Sequence, residues 1–295
     1  MIVDRTFVLR QNALVIPDTT ISVATTSPTA AGFEAENVMN YIPSRPAKFD
    51  AAPLATKRIG FQLSRSISCD MLCLIEVHSK VETTVAIGDY LVERPMEFRL
   101  MRGSTGITEV FTWTTITSGF AKWGFNAFRK FNPFTDQFWS VEFRMSSTGE
   151  DNMLGACIGG IMLGKSLQLD SNPLLPYPRG LHTSGIFQPT RYRTGTFFQR
   201  SPSARSYPMR IKHETDDDRA FFMGWLAGFG EQRLTGTDLV RIRGDVPTVL
   251  VPPEMHLDAT NNYGGCVFGA FDPDSRFDSL IGQQGITDIV FDEMV

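Results

Sequence analysis

The residues of this 295-residue chain that could hold a metal or move a proton are few and scattered. Four histidines, His78, His182, His213 and His256, lie far apart, and none stands four residues from another to offer zinc a helical pair. Cys69 and Cys73 frame "CDMLC", but Cys157 and Cys266 do not answer them at thiolate-site spacing. They read as small buried hydrophobes of a chain kept under reducing conditions, with no disulfide framework. The triplet "DDD" at 216–218 and the alternating aspartates of "FDPDSRFD" look like cation ligands. The first is explained by helix capping. The second lacks the glycine and terminal glutamate of a calcium loop and reads as a turn. No G-x-S-x-G elbow, phosphate-cradling loop or dinucleotide fingerprint occurs. "GACIGG" and "GFGEQRLTG" hold glycines without the strand-then-helix context such loops need. A carboxylate pair for glycoside hydrolysis depends on spacing in three dimensions and leaves no sequence mark. The expectation is no catalytic residue, no cofactor and no metal.

Aromatic side chains are the other chemistry on offer. Eleven lie between Phe111 and Phe143, including Trp113, Trp123 and Trp139, with Lys122, Arg129 and Lys130 interleaved. Rings beside cations stack sugars or bases. A net charge of -4 does not favour a polyanion, so sugars are the better ligand class, with Trp113 and Trp123 as the candidate glycan contacts. Phenylalanine dominates the cluster, however, and core plus protein interface accounts for most of it.

The elements that must position these residues are strands. "RIGFQL" alternates through Ile59, Phe61 and Leu63, and "EFRLM" through Phe98 and Leu100. "SVEFRM" sets Val141, Phe143 and Met145 against Ser140, Glu142 and Arg144. This is the period of a half-buried strand. Gly, Pro, Ser and Thr clusters separate the runs. "RIGFQLSRSISCDMLCLIEVHS" reads as two adjacent strands around a turn. One segment predicts a helix over about 215–229: "TDDDRAFFMGWLAGF" lines up Phe221, Phe222, Trp225, Leu226 and Phe229, with Thr215 as N-cap.

A hydrophobic content of 42% supports a sizeable core, and the length fits two domains. No apolar run is long enough for a membrane span, and "MIVDRTFVLRQN" is no signal peptide. Prolines between Pro173 and Pro178 mark a linker at about 170–180, between a domain over 1–170 and another over 180–295. Charge shifts across it. Arg179, Arg191, Arg193, Arg200, Arg205, Arg210 and Lys212 fall in a stretch without acids, whereas Asp288, Asp292 and Glu293 close the chain. Arg191, Arg193 and Arg200 against Asp288, Asp292 and Glu293 are the candidate subunit interface, since complementary charge fixes register.

The segment "FEAENVMNYIPSRPAKF" is neither helix nor strand. Taken with the strands around it, from "NALVIPDTTISV" to "IGGIMLGKSLQL", it resembles the discoidin, or galactose-binding-like, jelly roll. There an Ala-x-Asn segment leads into the first core strands as a surface loop. Such modules are common at the front of phage structural proteins. The later order is a basic stretch, "MRIKHETDDDRAFFMGWLAGFG", "TVLVPPEMH", "YGGCVFGAF" and "ITDIVFDEMV". It is similar to the tail-tube-like domain of bacteriophage distal tail and tail-tip proteins.

The expectation is a mainly β chain: a jelly-roll β-sandwich followed by a tail-tube-like β-sandwich or barrel with one helix. The resemblance implies a structural protein of a phage tail tip, a distal tail or baseplate component. It would form a homo-oligomeric, hexameric ring that links the tail tube to the adsorption apparatus, and touch tube, hub and fibres. It would be assembled in the host cytoplasm and carried in the virion, with no nucleic-acid binding. The alternative is a virion receptor-recognition protein that grips a host surface glycan.

Overall fold

The computed structural model describes residues 6–15, 20–23, 32–40, 46–49, 56–85, 88–93, 96–104, 108–116, 126–145, 156–168, 188–192, 195–199, 206–213, 230–233, 239–242, 247–257, 262–271, 276–281 and 284–293. The strands are β1 (Phe7–Asn12), β2 (Thr20–Val23), β3 (Ala47–Lys48), β4 (Lys57–Val85), β5 (Gly88–Glu93), β6 (Met96–Arg102), β7 (Thr108–Ile116), β8 (Ala127–Met145) and β9 (Ala156–Gln168). They continue as β10 (Gln188–Tyr192), β11 (Gly195–Gln199), β12 (Ser206–His213), β13 (Gly230–Arg233), β14 (Leu239–Ile242), β15 (Thr248–Val251), β16 (Tyr263–Gly265), β17 (Val267–Phe271), β18 (Arg276–Ile281) and β19 (Gln284–Glu293). The protein is mainly β with antiparallel ladders, in keeping with a jelly-roll β-sandwich. Among the described residues there is no α-helix, only short 3-10 turns, and none is long and apolar enough to cross a membrane. The helix expected over 215–229 lies outside the described residues.

The chain divides into two compact units. The first comprises Met1–Gln168 together with Val249–Val267, and the second Leu169–Thr248 together with Phe268–Val295. A division at 170–180 with everything later in one domain misses this return. "VLVPP" and "YGGC", which the sequence attached to the second domain, supply β15 and β16 to the first unit.

In the first unit the strands run in the order β15, β1, β9, β4, β8, β6, β7, with β2 and β5 also on β4, β3 on β9 and β16 on β8. Ile59, Phe61 and Leu63 of β4, Phe98 and Leu100 of β6, and Val141 and Phe143 of β8 are buried, as their alternation predicts. Each such side chain removed from water contributes about 1.5–3 kcal/mol.

β4 corrects one expectation. The segment "RIGFQLSRSISCDMLCLIEVHS", expected as two strands around a turn, lies within a single 29-residue strand. Strands this long must bend. The ladder with β8 shifts between Gln62 and Ile67 and again between Cys69 and Met71. At the second shift Phe131, Asn132 and Pro133 bulge opposite Asp70. Proline, which has no N–H to give a ladder, is tolerated there. A third irregularity is Glu76, at φ 46, whose backbone N–H donates to Asn126 Oδ1 at 2.8 Å where the pairing with β8 ends.

The segment after β15 folds back tightly. A 3-10 turn over Pro253–Met255 crosses Gly264 of β16, where a Cβ would lie 2.0 Å from the Met255 carbonyl oxygen. Only glycine fits beneath that backbone. His256 bridges to Gly264, and the Leu257 N–H donates to the Tyr263 carbonyl at 2.9 Å.

In the second unit β12, β17 and β18 all pair with β19. Pro208 of β12 stands opposite Val290. β10 with β11, and β13 with β14, form separate two-stranded pairs.

Candidate functional site

Strict alternation on β6 and β8 puts charge on the face away from the core. Opposed across the ladders are Arg58 of β4, Glu142 of β8 and Arg99 of β6, and one step along, Arg144 of β8 with Glu97 of β6. Opposite charges facing each other across antiparallel strands attract where the Cβ atoms are closest. Glu142 is the centre of the first row. Its side chain is only 2% exposed, and its Oε1 accepts Arg58 Nε at 2.7 Å as well as an Arg58 terminal nitrogen. Its Oε2 accepts Arg99 Nε at 2.7 Å. In the second row Glu97 Oε2 accepts Arg144 Nε at 2.6 Å, and Glu97 Oε1 accepts the Thr115 hydroxyl at 3.3 Å.

Trp113 joins this network through a bulge. Phe98 pairs with Thr114 and Leu100 with Phe111, so Arg99 of β6 faces two residues of β7, Thr112 and Trp113. The extra residue turns Trp113 onto the charged face while Phe111 and Thr114 stay buried. Re-aiming one side chain is what a bulge does. The Trp113 ring then carries two guanidinium groups, Arg99 with its carbon 4.5 Å and Arg144 with its carbon 4.2 Å from the ring centre. Each such contact contributes about 0.5–1 kcal/mol at an exposed site and more when desolvated. Arg99 also donates to Glu109 at 3.0 Å. The face is thus a half-buried indole held between two arginines, each fixed by a carboxylate behind it. Arg144, 41% exposed, and Glu109, 43% exposed, are the groups that reach furthest into solvent.

The arrangement offers hydrogen-bond donors and acceptors at its exposed groups, Arg144 and Glu109. Glu142 and Glu97 use both oxygens on neighbours, which fixes them as partners of the arginines. Of the two candidate glycan contacts, Trp113 is in this network, and Trp123 lies outside the described residues. Arg99, Arg144, Glu97 and Glu142 were not singled out from the sequence. Their signal was the charged register of "EFRLM" and "SVEFRM". Of the wider aromatic cluster, Phe111, Phe128, Trp139 and Phe143 are buried, as a core reading expects.

The candidate interface residues are not assembled in one place by the described ladders. Arg191 lies in β10 opposite Thr196, and Arg193 and Arg200 are outside the described residues. Asp288 stands opposite Arg210 of β12 and Arg276 of β18, Asp292 opposite Ser206, and Glu293 opposite Gly269. Asp288 thus shares its register with two basic positions, one on each side of β19.

A second polar group sits at the β4 bulge. Asp70 Oδ1 accepts the Ser166 N–H at 2.6 Å, and the Lys130 ammonium lies 3.7 Å from the centre of the Phe7 ring. His256 meets Phe7 and Phe128 edge to face, at 5.4 Å from each. Loss of water pushes the Asp70 carboxyl up and the Lys130 ammonium down from their ordinary values. No disulfide joins the cysteines. Burial raises the Cys69 and Cys73 thiols, and Cys73 neighbours Cys266 rather than Cys69. Among the described residues no three metal-ligating side chains come together.

No protein-family model matches the sequence, and a search of curated proteins finds no match. Among solved structures the chain is similar to chitosan-binding module 1 of a chitosanase/glucanase from Paenibacillus sp. IK-5. Identity is 14%, over 52% of this chain and 98% of that one, with a TM-score of 0.32. It is also similar to CBM32-3 from a family 31 glycoside hydrolase of Clostridium perfringens, at 11% identity over 49% of this chain and 90% of that one, TM-score 0.36. A third is a Ruminococcus gnavus GH29 fucosidase in complex with fucose. There the identity is 11%, over 54% of this chain and 28% of that one, with a TM-score of 0.34. At these scores the comparison assigns neither a ligand nor a role to this chain.

Proposed function

We propose that the chain is a non-catalytic recognition protein of a bacteriophage virion, whose first unit contacts carbohydrate through the face around Trp113. The observation that carries the carbohydrate reading is the bulge at Thr112–Trp113, which turns an indole out of the core and onto a face of fixed hydrogen-bonding groups. The exposed groups of this face, Arg144 and Glu109, can pair with sugar hydroxyls, and the indole between its two arginines holds them in place. The virion part rests on the resemblance of the sequence to tail-tip proteins. The test is titration of the full chain against a panel of oligosaccharides by calorimetry, beside Trp113→Ala. Binding by the parent that falls at least tenfold in the variant supports the reading. Binding that survives in the variant moves the site elsewhere, and no binding to any glycan in the panel sinks it.

A second reading, the ring-forming tail component, is favoured by the basic and acidic stretches of the later chain. The basic positions it would draw on are Arg191, Arg193 and Arg200, set against Asp288, Asp292 and Glu293. Native mass decides it. A monomer at micromolar concentration rejects self-assembly, and a closed oligomer blocked by charge reversal at those three arginines supports it.

A further inference from the structure

We infer that Glu97 is a specificity-determining residue, which keeps the Trp113 face selective for uncharged sugars and against acidic ones. The inference rests on the carbohydrate reading and adds the class of sugar.

Arg99 and Arg144 lie against the indole, and the carboxylates paired with them bring in one more arginine, Arg58. Arg58, Arg99 and Arg144 contribute three positive charges, and Glu97, Glu109 and Glu142 three negative ones, all joined by ion pairs. The formal charge of the group is zero. Without its carboxylates this face would attract a uronic or sialic acid, since a guanidinium pairs with a carboxylate in bidentate fashion. With them, Arg99 is tied to Glu142 and Glu109, and Arg144 to Glu97. An incoming carboxylate would meet Glu97 and Glu109 beside the two guanidiniums, and like charges brought together are unfavourable. A neutral sugar meets no such opposition and still finds donors and acceptors.

Glu97 is the residue on which this balance turns. Arg144 is 41% exposed and is the more accessible of the two guanidiniums on the indole, Arg99 being 27% exposed. Glu97 is the carboxylate bonded to Arg144. Glutamine at this position keeps an oxygen for the Arg144 Nε and one polar atom near Thr115, and removes only the charge. Glu142 is a poorer subject, because its burial between two guanidiniums makes it part of the fold.

Two measurements on Glu97→Gln test the inference. The first needs no sugar. In a background with Trp123→Phe and Trp225→Phe, quenching reports Trp113, since Trp139 is only 2% exposed. Iodide, an anion, should quench the variant more strongly than the parent, by roughly twofold, while uncharged acrylamide quenches both alike. Equal iodide quenching overturns the charge balance. The second compares neutral galacto- and gluco-oligosaccharides with oligogalacturonate and sialyl-lactose. The parent should bind neutral sugars only. Glu97→Gln should shift the acidic-to-neutral affinity ratio about three- to tenfold toward acidic sugars, as one charge at a partly exposed site allows. A parent that prefers acidic sugars, or an unchanged ratio in the variant, overturns the inference. A difference in iodide quenching with no sugar bound by either protein sinks the carbohydrate reading and leaves the charge balance standing.

Discussion

Replacing Gly264 by alanine should disable the first unit, and the structure sets how severely. The added Cβ would lie 2.0 Å from the Met255 carbonyl oxygen, 2.9 Å from the Met255 carbonyl carbon and 3.0 Å from the His256 Cα. All three are backbone atoms, so no side chain can swing aside. The Pro253–Met255 turn must lift from β16. That movement strains the bridge between His256 and Gly264 and the bond from the Leu257 N–H to the Tyr263 carbonyl, about 1 kcal/mol each. Forced overpacking adds about 1–3 kcal/mol. Lower entropy of the unfolded chain returns about 0.5 kcal/mol. The net loss is about 2.5–4.5 kcal/mol. Gly103→Ala is the control, because φ of +93° makes alanine costly there while nothing lies within 4 Å of its Cβ. Its expected loss is about 1 kcal/mol. The assay is urea unfolding followed by tryptophan fluorescence, with far-ultraviolet circular dichroism to confirm that each variant folds. If Gly264→Ala loses no more stability than Gly103→Ala, the turn is not closely packed on β16 and the reasoning fails.

Three further outcomes follow from the polar groups. Glu142→Ala should lower stability by about 2–4 kcal/mol, since it leaves Arg58 and Arg99 facing each other across β8 without a buried anion between them; a loss below about 1 kcal/mol in the same urea assay would show that the row is only a surface ion pair. Cys69, Cys73 and Cys266 should resist a thiol reagent at pH 8 in the native protein, and all four cysteines should react in denaturant; rapid native labelling of Cys69 or Cys73 would contradict the burial that holds their thiols protonated. Asp70 has a native pKa raised by desolvation, so the native state holds its proton to higher pH than the unfolded chain, and stability is lost as pH rises from about 4 through the raised native value. Asp70→Asn should remove that loss. Urea midpoints from pH 4 to 7 measure it, and parallel curves for parent and variant would refute it.

The strand character of the chain is plain in its alternation. "RIGFQL", "EFRLM" and "SVEFRM" put Phe61, Phe98 and Phe143 into the core because a two-residue period admits one arrangement against a half-buried sheet. The same period holds Glu97, Arg99, Glu142 and Arg144 on the other face, and that much of the site could be read in advance. Their pairing could not, since register between β6 and β8 is decided by contacts more than forty residues apart. The bulge that turns Trp113 outward is likewise invisible, as it exists only relative to Arg99. β4 was misread for a related reason. Polar residues between Gln62 and Ile67 imitate a turn, while the backbone stays extended and the shift is absorbed in the ladder with β8. The return of Val249–Val267 to the first unit leaves no local trace, because "VLVPP" and "YGGC" are strand-like wherever they dock.

That return also orders events during synthesis. β1 leaves the ribosome well before β15, yet Phe7 and Val8 pair with Val251 and Leu250. The other side of β1 finds its partner in β9 much sooner. Between β9 and β15 the ribosome must make Leu169–Thr248, about eighty residues, which takes roughly 4–16 s at common translation rates. Through that interval the first unit waits with one edge of β1 unpaired and the Phe128 end of β8 lacking β16. An open strand edge of this kind is where nascent chains cross-pair, so crowded polysomes carrying this message would be the place where its folding yield is lost.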